Sequence, residues 1–146
     1  MVEDPKSGKL VSGPAVSPEN TFIAPDGSRS QISMGPTHDQ QVIWQLFDDF
    51  GKASEILGMQ DDFVQAVRKA QGNLLESQIG KDGRLMEWAE DFQEVELGHR
   101  HISHLFAVHP GAQINWKQTP ELLAAAQKSM DCRMKNRSGF GGKSYV

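Results

Sequence analysis

From Thr37 onward the chain carries apolar residues at helical spacing, with Ile43, Leu46, Phe47, Phe50, Ala53 and Leu57 recurring every three or four positions. A stripe of that period can be buried together only as one face of an α-helix, because a strand would turn successive residues to opposite sides. Thr37 with Gln40 three positions on reads as a capping box, and Gly58 stands where a left-handed C-cap belongs. A second helix is expected from Asp61 to Ile79, with Phe63, Val64, Val67, Ala70, Leu74 and Leu75 as its stripe and Gly80 as its stop. Within it Gly72 is disfavoured by about 1 kcal/mol relative to alanine.

The same reasoning extends to the C-terminal half. Lys81-Asp82-Gly83 reads as a turn, and residues 100–109 as a short helix ended by Pro110-Gly111. Thr119 caps a last helix, with Pro120 at its first position and Glu121 near the positive end of its dipole. Its stripe is Leu122, Leu123, Ala126, Met130 and Met134. Residues 1–36 hold five of the seven prolines and show no apolar period, so they read as a long loop, a kind of segment that is usually functional or disordered. No strand or hairpin signal competes, and the expected fold class is all-α, helices joined by long loops.

Composition narrows the function classes. A chain of 146 residues can bury a core as one domain. A net charge of −4 without a Lys/Arg cluster argues against nucleic acid and anionic membranes as partners. Cys132 is the only cysteine, so no internal disulfide or multi-cysteine zinc site can form. No apolar run reaches the roughly 18 residues of a membrane span, and Met1 to Pro5 have neither a basic nor an apolar leader character.

The chemistry-bearing residues cluster. Gly98-His99-Arg100-His101-Ile102-Ser103-His104 brings three imidazoles and a guanidinium into one stretch, with Glu87-Trp88 and Glu90-Asp91 just upstream. His99, His101 and His104 could ligate zinc, although no further ligand motif accompanies them. They could equally be histidines satisfied by local hydrogen bonds. Arg100 and His101 suit a sugar, because a guanidinium fork and imidazole nitrogens meet fixed hydroxyl directions, whereas a solvated Arg100 is the plainer alternative. Trp88 is either an apolar wall for a sugar ring or a buried structural indole. Glu19, in the proline-broken loop, is either a solvated carboxylate or, held in a partly dry pocket, an acid able to protonate a glycosidic oxygen.

The stretch Leu10-Val11-Ser12-Gly13-Pro14-Ala15-Val16-Ser17-Pro18-Glu19-Asn20-Thr21-Phe22 resembles the Leu-Val-x-Gly-Pro-Ser-x-Ser-Pro-Glu-Asn-x-Phe signature of the family 95 glycoside hydrolases, departing at Ala15. Further matches run from Gly80 to Trp88 with Glu90-Asp91, and from His99 to Leu105, continuing to Pro110-Gly111 and Thr119-Pro120-Glu121-Leu122. The resemblance covers residues 10 to about 134. It implies an (α/α)6 barrel, here partial with long loops over residues 1–136, followed by a divergent tail at 137–146. In that tail Gly139 and Gly141 could stand for the glycines of the family's Gly-Thr-Gly-Trp-Ser, but Phe140 and Gly142 replace its Thr and Trp.

The resemblance also implies an enzyme that hydrolyses terminal α-L-fucosyl residues of oligosaccharides or glycans by an inverting mechanism, with L-galactose taken by some members and no cofactor or metal. Glu19 takes the general-acid position, and Arg100 and His101 the sugar-contacting ones. Members are often secreted or periplasmic. The family's water-activating motifs, Asn-x-Asn upstream and Asp-Gly-Asn downstream, are not present in this chain. The chain is therefore expected to be a fragment that begins inside the barrel, stops before it closes and is poorly active alone. A non-catalytic carbohydrate-binding fragment is the alternative.

Overall fold

The computed structural model describes residues 1–136. The tail expected at 137–146, with Gly139 and Gly141, lies outside the described residues. Among these residues seven strands of two residues each alternate with loops around three α-helices. The strands are β1 (Val2–Glu3), β2 (Leu10–Val11), β3 (Ala15–Val16), β4 (Phe22–Ile23), β5 (Arg29–Ser30), β6 (Ile32–Ser33) and β7 (Gln93–Glu94). The helices are α1 (Thr37–Ile56), α2 (Asp62–Gly72) and α3 (Pro120–Lys135).

The all-α expectation, and with it the partial (α/α)6 barrel, is corrected by this architecture. Three small antiparallel sheets pair β1 with β2, β3 with β6, and β5-β4-β7 in that order. A two-residue strand is too short to show a period of two, so periodicity could not reveal it. Its pairing is fixed by the turns around it and by partners distant in sequence, as when β7 places Glu94 opposite Phe22 of β4.

The helices differ from expectation at their ends. No side chain caps α1: Thr37 instead donates its hydroxyl to the Met86 carbonyl at 2.8 Å, and the Gln40 amide holds both Leu10 O and the Ser12 N–H. At the other end Gly58, at φ +68°, donates to Glu55 O while Met59 donates to Ser54 O, a Schellman closure. Asp61 caps α2 by accepting the Val64 N–H at 2.9 Å. That helix ends at Gly72 rather than Ile79, because Leu10 takes over the backbone: its N–H donates to Asn73 O and its carbonyl accepts from Leu75 N.

Residues 100–109 form only a 3-10 turn over Ser103–Leu105, since His101 N donates to the His99 ring and not to a helical carbonyl. Thr119 precedes α3 without a side-chain cap bond, because its Oγ1 accepts from Asn115 N.

The apolar core gathers Leu85, Ile102, Leu105, Ala107, Ile114 and Ala126, with Leu122, Leu123 and Met130 of α3 against it. A second layer stacks Phe22 on Phe92, centroids 4.3 Å apart, with Trp88 tilted at 5.1 Å from Phe22. The face of α1 turned to the loops is polar. Gln41 donates to His104 O and accepts from Ala107 N, which satisfies loop backbone that no ladder could reach. Leu46 and Leu57 of the expected stripe are 63% and 72% exposed among the described residues, while Phe50 meets Phe63 of α2 edge-on.

Candidate active site around Glu19

Glu19 sits in a β-turn. Asn20 N donates to Ser17 O at 2.8 Å, which makes Pro18 and Glu19 the two central residues. The corner side chains point inward, Ser17 at 0% and Asn20 at 1% exposure, while the Glu19 side chain is 62% exposed. A third tie comes from Ser103, whose hydroxyl donates to Pro18 O at 2.8 Å. The segment that supplies Ser103 also supplies Arg100 and His101. Arg100 Nη2 donates to Glu19 Oε2 across 81 positions of sequence, and His101 Nε2 lies 3.9 Å from the same oxygen. Three of the four residues expected at a sugar site therefore converge, and they do so at an opening.

Trp88, the fourth, is elsewhere. It is 2% exposed and packed with Phe22 and Phe92, so neither ring face is open to a ligand.

Beneath the turn lies a buried polar cluster that sequence reasoning did not single out. Glu87 Oε1 accepts from Ser17 Oγ at 2.8 Å, and Oε2 accepts from Asn20 Nδ2 at 2.8 Å and Arg133 Nη2 at 2.6 Å. Asn20 Nδ2 also reaches Glu94 Oε2 at 3.0 Å. Because carboxylates only accept, these bonds settle which way the Asn20 amide faces, and its Oδ1 is left for Thr21 N. Arg133 pairs with Glu94 as well and donates to Leu97 O at 3.0 Å, and Arg84 closes the cluster on Glu94 Oε1 at 2.5 Å. The available signal was an arginine on the small-residue face of α3, in line with Ala125, Ala126 and Ser129, all buried.

The histidines divide by depth. His104 is 2% exposed, and burial, reinforced by Arg133, pushes its pKa down to about 3. Its ring therefore stays neutral, and the 3.9 Å approach of Nδ1 to Glu87 Oε2 is not an ion pair. Burial also holds His99 below the ordinary imidazole range. Its Nδ1 accepts from His101 N at 3.2 Å, and its ring centroid is 5.5 Å from that of His101. Among the described residues no group of three or more His, Cys, Asp or Glu is arranged to hold a metal ion, and no helix is long and apolar enough to cross a membrane.

Glu19, Arg100 and His101 thus meet above a turn whose two corners are tied to the buried Glu87 carboxylate. Residues 1–144 match the Glycosyl hydrolase family 95 catalytic domain, and the chain belongs to that family. It is 40% identical over 136 residues to "Alpha-L-fucosidase 2" of Arabidopsis thaliana, an alignment spanning 92% of this chain and 16% of that protein. It is 32% identical over 109 residues to "Probable alpha-fucosidase A" of Aspergillus niger, spanning 73% of this chain and 13% of that one. Aspergillus oryzae has a protein of the same name, 32% identical over 111 residues, 72% of this chain and 14% of the relative. The chain thus spans about a sixth or less of the length of the relatives it matches.

Proposed function

We propose that this chain carries the acid side of a glycoside hydrolase site for terminal α-L-fucosyl residues, with Glu19 protonating the glycosidic oxygen. The observation that carries the reading is the meeting of Glu19, Arg100 and His101 from segments 81 positions apart. The names of the relatives supply the sugar, and the motif around Glu19 supplies the role. Arg100 rests on Glu19; a bound fucose offers its hydroxyls to the guanidinium, which releases the carboxyl group to the leaving oxygen. His101 holds a second hydroxyl direction. Water attacks the anomeric carbon from the opposite face, activated by a group about 6.5–9.5 Å from the acid. The family resemblance assigns that activation to Asn-x-Asn and Asp-Gly-Asn motifs absent from this chain. Trp88 acts here as support for the turn rather than as a wall for the sugar.

Fucose release from a fucosylated oligosaccharide by the purified chain tests this reading, with Glu19→Gln in parallel. Without those motifs the chain is expected to release fucose slowly, Glu19→Gln to lower that release by about a further 100-fold, and the sugar first released is the β-anomer. Undiminished release by Glu19→Gln removes Glu19 as the acid, and an α-anomer as first product removes inversion.

A second reading, sugar binding without turnover, is favoured by the openness of the pair, since Arg100 and Glu19 side chains are 55% and 62% exposed. Fucose binding that survives Glu19→Gln and is lost in Arg100→Ala, without release from any form, selects it.

A further inference from the structure

We propose that Glu87 is a positioning residue for Glu19, a role that rests on the reading of Glu19 as the acid. The Glu19 side chain cannot hold its own direction. Among the described residues its partners are an exposed arginine and one imidazole, and its carbonyl accepts from the Gln31 amide at 3.4 Å. Its direction is set by the backbone of the turn, and the turn is held by its corners. Ser17 and Asn20 flank Pro18-Glu19, and the two oxygens of one buried carboxylate take one corner each.

Glu87 is itself fixed from two helices. At the start of α1, Thr37 N donates to Glu87 O at 3.0 Å, and the Thr37 hydroxyl to Met86 O at 2.8 Å. From α3, Arg133, 1% exposed, donates Nη2 to Glu87 Oε2 at 2.6 Å while Nη1 is held by Glu94 and Leu97 O. The order of constraint runs from α1 and α3 to Glu87, from Glu87 to both corners, and from the corners to Glu19. An apolar pair of similar volume would often hold the two helices as well as a buried Glu–Arg pair does. What it could not do is accept two directed hydrogen bonds from either side of the acid.

Two variants test this on the full chain. Glu87→Gln keeps the shape but replaces the charged two-oxygen acceptor by one neutral carbonyl oxygen and an NH2 group, which weakens the hold on both corners and on Arg133, while Ser17→Ala removes one clamp and leaves the Glu87–Arg133 pair intact. Amide exchange at Asn20, whose N–H closes the turn on Ser17, is expected to speed up roughly tenfold or more in both. The amides of α1, α2 and α3 keep their rates, and the 13C signal of the Glu19 carboxyl moves from its wild-type position.

Where fucose release is measured, kcat falls at unchanged KM, and by less than in Glu19→Gln. If Glu87→Gln unfolds the chain, Ser17→Ala decides. Asn20 exchange within about twofold of wild type, or acceleration of all three helices together with Asn20, overturns the proposal. Fucose release that is undiminished in Glu19→Gln counts against the acid reading alone, because exchange and the carboxyl signal still report whether Glu87 holds the turn.

Discussion

Two glutamate–arginine pairs lie close together in this molecule and do opposite things. Glu19–Arg100 stands open, its side chains 62% and 55% exposed, whereas Glu87–Arg133 is buried with side chains at 3% and 1%. An exposed pair gains about 0–1 kcal/mol, and water competes for both partners throughout. A buried pair has lost its water on both sides, so each partner depends on the other and on every remaining hydrogen bond. The first can exchange its partner for a ligand; the second can only be kept or broken. On the proposed reading, that difference separates the part of the site that would meet substrate from the part that would aim it.

Breaking the buried pair is the largest effect expected. Arg133→Met leaves Glu87 buried without a cationic partner and Glu94 with Arg84 as its remaining one, and is expected to destabilise the chain by about 3–5 kcal/mol in urea unfolding. Adding Glu87→Leu to it should recover part of that loss, because two apolar groups leave no unpaired charge between them. An Arg133→Met variant within about 1 kcal/mol of wild type would show that the interior is wet enough to erase the contrast.

Buried His104, beside Glu87 and Arg133, sharpens the comparison through pH. Its pKa is lowered to about 3 in the folded chain and returns to the ordinary imidazole value near 6.5 on unfolding. Between those values the unfolded chain binds the extra proton, so stability is complete above pH 6.5 and is lost as pH falls. Between pH 6.5 and 5, where ordinary carboxylates remain ionised, the slope approaches about 1.4 kcal/mol per pH unit per histidine. His99, also lowered, adds in the same direction. His104→Gln should flatten the unfolding free energy over this window, and an unchanged slope would assign the proton elsewhere.

The sequence revealed the outer pair better than the inner one. Glu19, Arg100 and His101 were singled out by the family motifs they stand in, since the residue types alone left solvated alternatives open, and the structure brings the three side chains together. Glu87 and Arg133 were not, because burial of a charge depends on partners far along the chain: Arg133 meets Glu87 across 46 positions and Glu94 across 39. α1 and α3 were readable from apolar period, yet the capping box at Thr37 and Gln40 was not used, because loop carbonyls and amides claimed both side chains. The small sheets escaped for a related reason. A two-residue strand is specified by what it pairs with, and Phe22 and Glu94 are adjacent only in space.

The smallest effect on stability is expected at Arg100. Its side chain is more than half exposed and its partner, Glu19, is more exposed still. Removing it in Arg100→Ala leaves no buried group unsatisfied, so the unfolding free energy should stay within about 0.5 kcal/mol of wild type. Fucose binding, followed by chemical-shift titration at His101 and Glu19, should nonetheless weaken by about tenfold or more, as expected when a charged hydrogen-bond donor to the sugar is lost. An Arg100→Ala chain that lost several kcal/mol of stability would make the outer pair structural. It would also end the distinction between a pair that receives the substrate and a pair that holds the acid in place.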